Sequence, residues 1–241
     1  QEQRNKNAGP EAKMFEMAAE QLNEVKQSAT DRINAHMYDS TALSGDLGTS
    51  ISGLETIIDD DNTYLGIDRT LAANAFWRAN VRTQAAASFT SDTDSDGTKD
   101  GEEKLNLLWT DCSKGMQSGQ GISPTSAVTK DTPDCMITDD TGFNLYMRLF
   151  RGEYRYTDRS ADPEKVLTFH GIPVKWDAFC PANRFYLLNS RHLQIDVVGP
   201  QILEMLVEED VGSPVAKILT LGGQLQMYSK NPRYLGVLQL T

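Results

Sequence analysis

The residues best suited to chemistry lie in one polar run, Asp92-Thr93-Asp94-Ser95-Asp96-Gly97-Thr98-Lys99-Asp100-Gly101-Glu102-Glu103. A hard cation such as calcium takes about six to eight oxygen ligands. Aspartates alternating around a tight glycine turn would supply them. Asp92, Asp94, Asp96 and Asp100 would bind through carboxylates, Thr98 through its backbone carbonyl and Glu103 through both carboxylate oxygens. The same residues have a plainer use, because acidic groups suit the positive end of a helix that starts near Glu102. The spacing thus leaves a calcium site and a solvated helix-capping turn side by side.

No catalytic set accompanies this run. The three histidines, His36, His170 and His192, show no zinc spacing. His170 and Cys180 could meet across a hairpin as a metal or nucleophilic pair, although packed side chains are the expected use. Phosphate loops, nucleophile elbows and paired-histidine metal helices are missing from the sequence. Asp59-Asp60-Asp61 and Glu208-Glu209-Asp210 single out nothing on an acidic surface. An enzyme is therefore not expected.

The acidic run resembles the aspartate-rich loops of EF-hand and thrombospondin-type calcium sites. It departs at Lys99, where EF-hand loops carry an aliphatic residue, and Ala85 to Thr90 is a poor preceding helix. A single loop is expected rather than a paired EF-hand.

Composition narrows the classes further. The chain has 241 residues and a net charge of -11, which disfavours nucleic acid and membrane surfaces as electrostatic partners. No apolar run approaches the ~20 residues needed to span a bilayer. Cys112, Cys135 and Cys180 are odd in number and widely spaced, as expected of reduced, mostly buried thiols. The sequence begins at Gln1 without a signal-like segment, so a processed or truncated form is expected.

The elements that must position these residues follow from periodicity. Gly9-Pro10 opens a helix whose apolar residues Phe15, Ala18, Leu22, Val25, Ala29, Ile33 and Met37 make one stripe to about residue 37. A rod this long must lie across something broad, such as a sheet or neighbouring subunits. Irregular structure packed against it is expected between Tyr64 and Arg78. A further helix is expected over Glu102 to Met116, and another, with N-cap oxygens from Thr138-Asp139-Asp140, carries Phe143, Tyr146, Met147 and Phe150. Cys135 to Ile137 reads as a short strand, and Gln117 to Thr132 as a long loop. Phe169 to Val198 reads as a three-stranded meander, and Gln201 to Glu209 as a helix. Strands are expected over Ala216 to Leu221, Gln224 to Ser229 and Tyr234 to Leu240.

Several stretches, in order, resemble the major capsid proteins of tailed phages with the Hong Kong 97-type fold. The long helix resembles that family's spine helix. Gly53-Leu54, Tyr64-Leu65-Gly66-Ile67-Asp68-Arg69 and Phe76-Trp77-Arg78 resemble the region following it. Phe169-His170-Gly171-Ile172-Pro173-Val174 with Cys180-Pro181-Ala182-Asn183-Arg184-Phe185-Tyr186-Leu187-Leu188-Asn189 resembles a "G-x-P-V … P-x-x-x-x-Y-x-L-N" pattern. Leu221-Gly222-Gly223, Asn231-Pro232-Arg233 and Gly236-Val237-Leu238 resemble the terminal strands.

The resemblance implies an α+β fold: a long spine helix with peripheral-domain β strands, plus a mixed α/β axial domain. Residues 1–101 would form the peripheral domain with its spine helix at about 10–37, residues 102–205 the axial domain, and 206–241 the peripheral return strands. It implies a non-enzymatic head protein, made in the host cytoplasm and resident in the virion. Copies would form hexamers and pentamers of an icosahedral shell that encloses double-stranded DNA without sequence-specific binding. Scaffolding, portal and decoration proteins would be partners, and a membrane would not. The chain departs from the family in having only about nine residues ahead of the helix and in carrying the acidic loop. The alternatives are a calcium-binding interaction module built on Asp92 to Glu103 and an encapsulin-like nanocompartment shell.

Overall fold

The computed structural model describes residues 10–38, 52–114, 131–149, 167–198, 204–209, 217–222 and 224–241. Its helices are α1 (Pro10–Tyr38), α2 (Leu54–Ile57), α3 (Asp100–Lys114) and α4 (Asp140–Leu149). The strands are β1 (Thr63–Tyr64), β2 (Ile67–Asp68), β3 (Asn80–Gln84), β4 (Cys135–Thr138), β5 (Thr168–Phe169) and β6 (Ile172–Trp176). They continue as β7 (Arg184–Leu188), β8 (Leu193–Val198), β9 (Glu204–Glu209), β10 (Lys217–Gly222), β11 (Gln224–Ser229) and β12 (Gly236–Leu240).

A six-stranded mixed sheet, ordered β3-β12-β7-β4-β6-β5, forms the centre. Strand β7 explains why. In Arg184-Phe185-Tyr186-Leu187-Leu188 the last four residues are all buried. Side chains alternate across a strand, so such a run must be covered on both faces. Phe185 and Leu187 enter one core with Phe89, Leu105, Leu108 and Tyr146, under α3 and α4. Tyr186 and Leu188 enter the other with Tyr38, Leu54, Ile57, Tyr64 and Leu235. Strand β12 divides the same way, with Val237 on one side and Leu238 and Leu240 on the other. The sheet is thus the middle of three layers.

Two expectations need correction. Residues 169–198 do not form a simple meander: β4 lies between β6 and β7, parallel to the first and antiparallel to the second, and β8 pairs instead with β11. The connection after Trp176 is long enough to step over a strand, and β7, buried on both faces, gains neighbours on both edges. Residues 204–209 are strand β9, not helix, paired antiparallel with β10. That ladder, together with β8 paired to β11, makes two successive stretches of antiparallel ribbon. The sheet also draws β3, β4 to β7, and β12 from all three segments expected from the sequence, so its ladders cross the limits at 102 and 206.

Helix α1 has 29 residues, a rod of about 43 Å. Between residues 20 and 32 every side chain is exposed except Leu22 and Ala29, which are half-buried. Ile33, Met37 and Tyr38 join the core at its end. Residues 54–79 meet it there, as the mixture of aromatics and small residues predicts. Trp77 stacks on Tyr64 with centroids 6.4 Å apart.

The fully buried Arg69 holds this region together. Its guanidinium donates to the carbonyls of Asp59 at 2.6 Å and Ile57 at 3.0 Å, and lies 4.6 Å from the Tyr64 ring centroid. Arg78 donates in turn to the carbonyls of Arg69 and Thr70. Leu65, Leu71 and Phe76 remain more than half exposed on this braced segment.

Candidate functional site

The acidic loop connects the turn after β3 to the start of α3. Its base is anchored by Gly101, whose amide donates to the Phe89 carbonyl at 3.1 Å. A Cβ at residue 101 would lie 2.5 Å from that carbonyl oxygen, so only glycine permits the approach. Phe89 itself stacks on Phe185 at 5.4 Å, coupling the loop to the sheet. Within the loop, Ser95 and Gly97 adopt φ of 61° and 93°, which turns the chain sharply.

That turn brings oxygens of Asp92, Asp94 and Asp100 within 4.8 Å of one another. Three of the five expected carboxylate ligands therefore converge, while Asp96 and Glu103 are not part of this carboxylate cluster. Asp96 accepts the Thr98 amide at 2.7 Å. The Glu103 amide donates to the Lys99 carbonyl at 3.0 Å. Asp92 accepts the Gly97 amide at 2.9 Å, and Asp100 accepts the Thr93 amide and hydroxyl at 3.0 and 2.7 Å. The Thr93 amide and hydroxyl hold Asp100 below the usual carboxylate range. The Lys99 ammonium instead donates to the Leu149 carbonyl at the end of α4. The donors are hard oxygens of the kind calcium prefers, with lone pairs remaining on each carboxylate.

The structure separates His170 from Cys180. His170 stacks on Trp109 at 4.9 Å and lies 2.8 Å from the Asn106 amide oxygen. Cys180 is buried in the opposite core beside Tyr186. Burial pushes its thiol up to about 12, the reverse of nucleophile activation.

His192 makes the tightest histidine contact, with Nε2 2.5 Å from Asp131, and its ring stacks on Tyr234 at 4.3 Å. Ser190 donates to Asp134 rather than to His192, so these residues form no proton relay. They fasten residues 131–134 to the turn after β7. Burial opposes ionisation of Asp131, but hydrogen bonds from Asn189 and His192 outweigh it and hold its carboxyl below the usual carboxylate range. A depressed carboxyl stabilises the fold above its unfolded pKa and loses that contribution as pH falls through the folded value. Acid unfolding of Asp131→Asn should therefore show a shallower loss of stability below about pH 4 than the parent chain. Identical acid limbs would remove Asp131 as a contributor.

Other notable residues carried weak sequence signals. Buried Arg69 resembles any surface arginine until its carbonyl partners are seen. Trp176, at the end of the mostly apolar β6, is 58% exposed.

With these features in place, the fold is recognisable as the Hong Kong 97 type. It is similar to the capsid asymmetric unit of cyanophage A-1(L), with TM-score 0.61 and 16% identity over 92% of this chain and 69% of that one. It is also similar to the capsid of an empty GTA particle, with TM-score 0.53 and 13% identity over 92% of this chain and 66% of that one. The chain thus spans about two thirds of the length of either. No protein-family model matches the sequence, and no curated protein matches it.

Proposed function

We propose that this chain is a major capsid protein, a structural subunit that assembles with copies of itself into a closed icosahedral shell around double-stranded DNA. The observation that carries the reading is a fold shared with two capsid chains across 92% of this one. The exposed length of α1 supports it, since an amphipathic helix of this kind gains most of its stability from packing. Residues 1–101 and 206–241 would serve mainly as the shell's periphery and 102–205 as its axial part. Hexamers and pentamers would be the capsomers. Scaffolding, portal and decoration proteins would be the partners, and synthesis in a host cytoplasm would precede residence in the virion. The work is mechanical and needs no turnover site.

Sedimentation of the complete gene product tests this proposal. Species far larger than a single subunit are expected. A persistent monomer at high concentration would argue against the shell.

A second role is favoured by the convergence of Asp92, Asp94 and Asp100. We infer that the loop binds one calcium ion weakly, with water completing the oxygen set. Calorimetric titration should give saturable heat that Asp94→Asn removes. No heat at millimolar calcium would discard the site and leave the loop as the start of α3.

A further inference from the structure

Two exposed surfaces of this chain are complementary, and neither can satisfy the other within one subunit. The first is the outer part of α1. Val25 is 52% exposed and Leu22 and Ala29 are half-buried, forming a stripe with no core beneath it among the described residues. At about 3.6 residues per turn, Lys26 and Arg32 fall on either side of that stripe, and Glu20, Glu24 and Asp31 fall opposite. Neither Lys26 nor Arg32 makes an ion pair among the described residues. This face is apolar with basic edges.

The second surface is a notch of about 450 Å3 between the start of α4 and the turn after β6. Asp139, Asp140, Trp176, Asp177, Ala178 and Cys180 line it, and no cation does. Asp139 accepts the Gly142 amide at 3.1 Å, and Asp177 accepts the Tyr38 hydroxyl at 2.7 Å and the Phe179 amide at 2.9 Å. Those bonds fix both carboxylates in place. Asp140 is exposed, with its side chain reached only by the neighbouring Thr141 hydroxyl at 3.4 Å among the described residues. Trp176 and Ala178 are exposed beside it. This surface is aromatic with acidic edges.

The chain's own helix cannot fill its own notch. Tyr38 is docked on Asp177, and Val25 lies 13 residues earlier, about 20 Å out along a continuous helix. We propose that the Leu22-Val25-Ala29 stripe of one copy docks against the Trp176 notch of a second copy, with Lys26 and Arg32 facing Asp140 and Asp177. Apolar area supplies attraction, and the charge pattern fixes orientation. Two different surfaces meet, so the contact is heterologous and repeats from copy to copy until a ring closes. The inference rests on the shell reading and names one of its subunit contacts.

The test places the photo-crosslinker p-benzoylphenylalanine at Val25 in the complete gene product, with mass spectrometry of the adducts and micrographs of the same sample. Adducts on residues 139–141 or 176–182 of a second copy are expected. Lys26→Glu with Arg32→Glu should lower their yield about tenfold, and adding Asp140→Lys should restore part of it. Particles with adducts elsewhere would overturn this contact and leave the shell reading standing. Notch adducts without regular particles would keep the contact and overturn the shell. Neither particles nor adducts between copies would overturn both.

Discussion

Tyr186→Asp should yield no soluble folded subunit. Tyr186 is fully buried in β7, opposite Val237 of β12 and Ile137 of β4, with its ring 6.1 Å from that of Tyr38. Removing a buried aromatic costs about 3–5 kcal/mol. An unpaired buried carboxylate adds several more, and domains have only about 5–15 kcal/mol in total. The nearest cation, Arg184, already pairs with Glu55 at 2.6 Å. Tyr186→Phe is the control. It loses only a long 3.4 Å bond from Arg184 and should fold with a penalty of about 1 kcal/mol or less. Soluble yield and circular dichroism separate the two. A soluble, cooperatively folding Tyr186→Asp would mean that β7 is not the centre of both cores. Leu188→Asp should fail in the same way, because Leu188 shares the Tyr186 core.

Arg69→Met should lower the melting temperature by about 6–20 °C. The substitution keeps an apolar stem but strands the buried carbonyl of Ile57 and takes the guanidinium from that of Asp59, which keeps only the Ala79 amide at 3.2 Å. Breaking such a buried charged network costs about 3–5 kcal/mol, and each kcal/mol shifts a domain of this size by about 2–4 °C. Arg69→Lys should recover little, since one ammonium cannot reproduce a planar fork whose two ends reach different carbonyls. Differential scanning calorimetry of the three proteins decides it. A lysine variant melting with the parent would show that charge alone, not the fork, braces residues 54–79.

These two residues mark what the sequence discloses and what it hides. Tyr186 sits in an apolar run with aromatics, and such a run is legible as a strand buried on both faces. The long helix was legible from its stripe, and the acidic loop from its alternation. Arg69 was not legible as a core residue, because arginine is usually exposed and only tertiary structure supplies the carbonyls that admit it. Strand β9 was misread because Glu, Leu and Met are good helix formers. Its ladder, with Glu209 opposite Lys217 and Val207 opposite Leu219, overrides that propensity. The placement of β4 between β6 and β7 is a long-range pairing that no local pattern announces. In the loop, spacing named six ligands, but only the folded turn shows which carboxylates converge.

The shell reading gives a physical meaning to features that are otherwise costs. A rod exposed over most of its described outer length, an exposed Trp176 and the braced apolar residues Leu65, Leu71 and Phe76 are liabilities for an isolated monomer. In the proposed shell they would serve as contact surfaces.

Electron microscopy of the complete gene product, purified without crosslinking, tests that account most directly. Regular hollow particles built from six-fold and five-fold capsomers are the expected result. A monodisperse single subunit, or an open filament without closed particles, would contradict it.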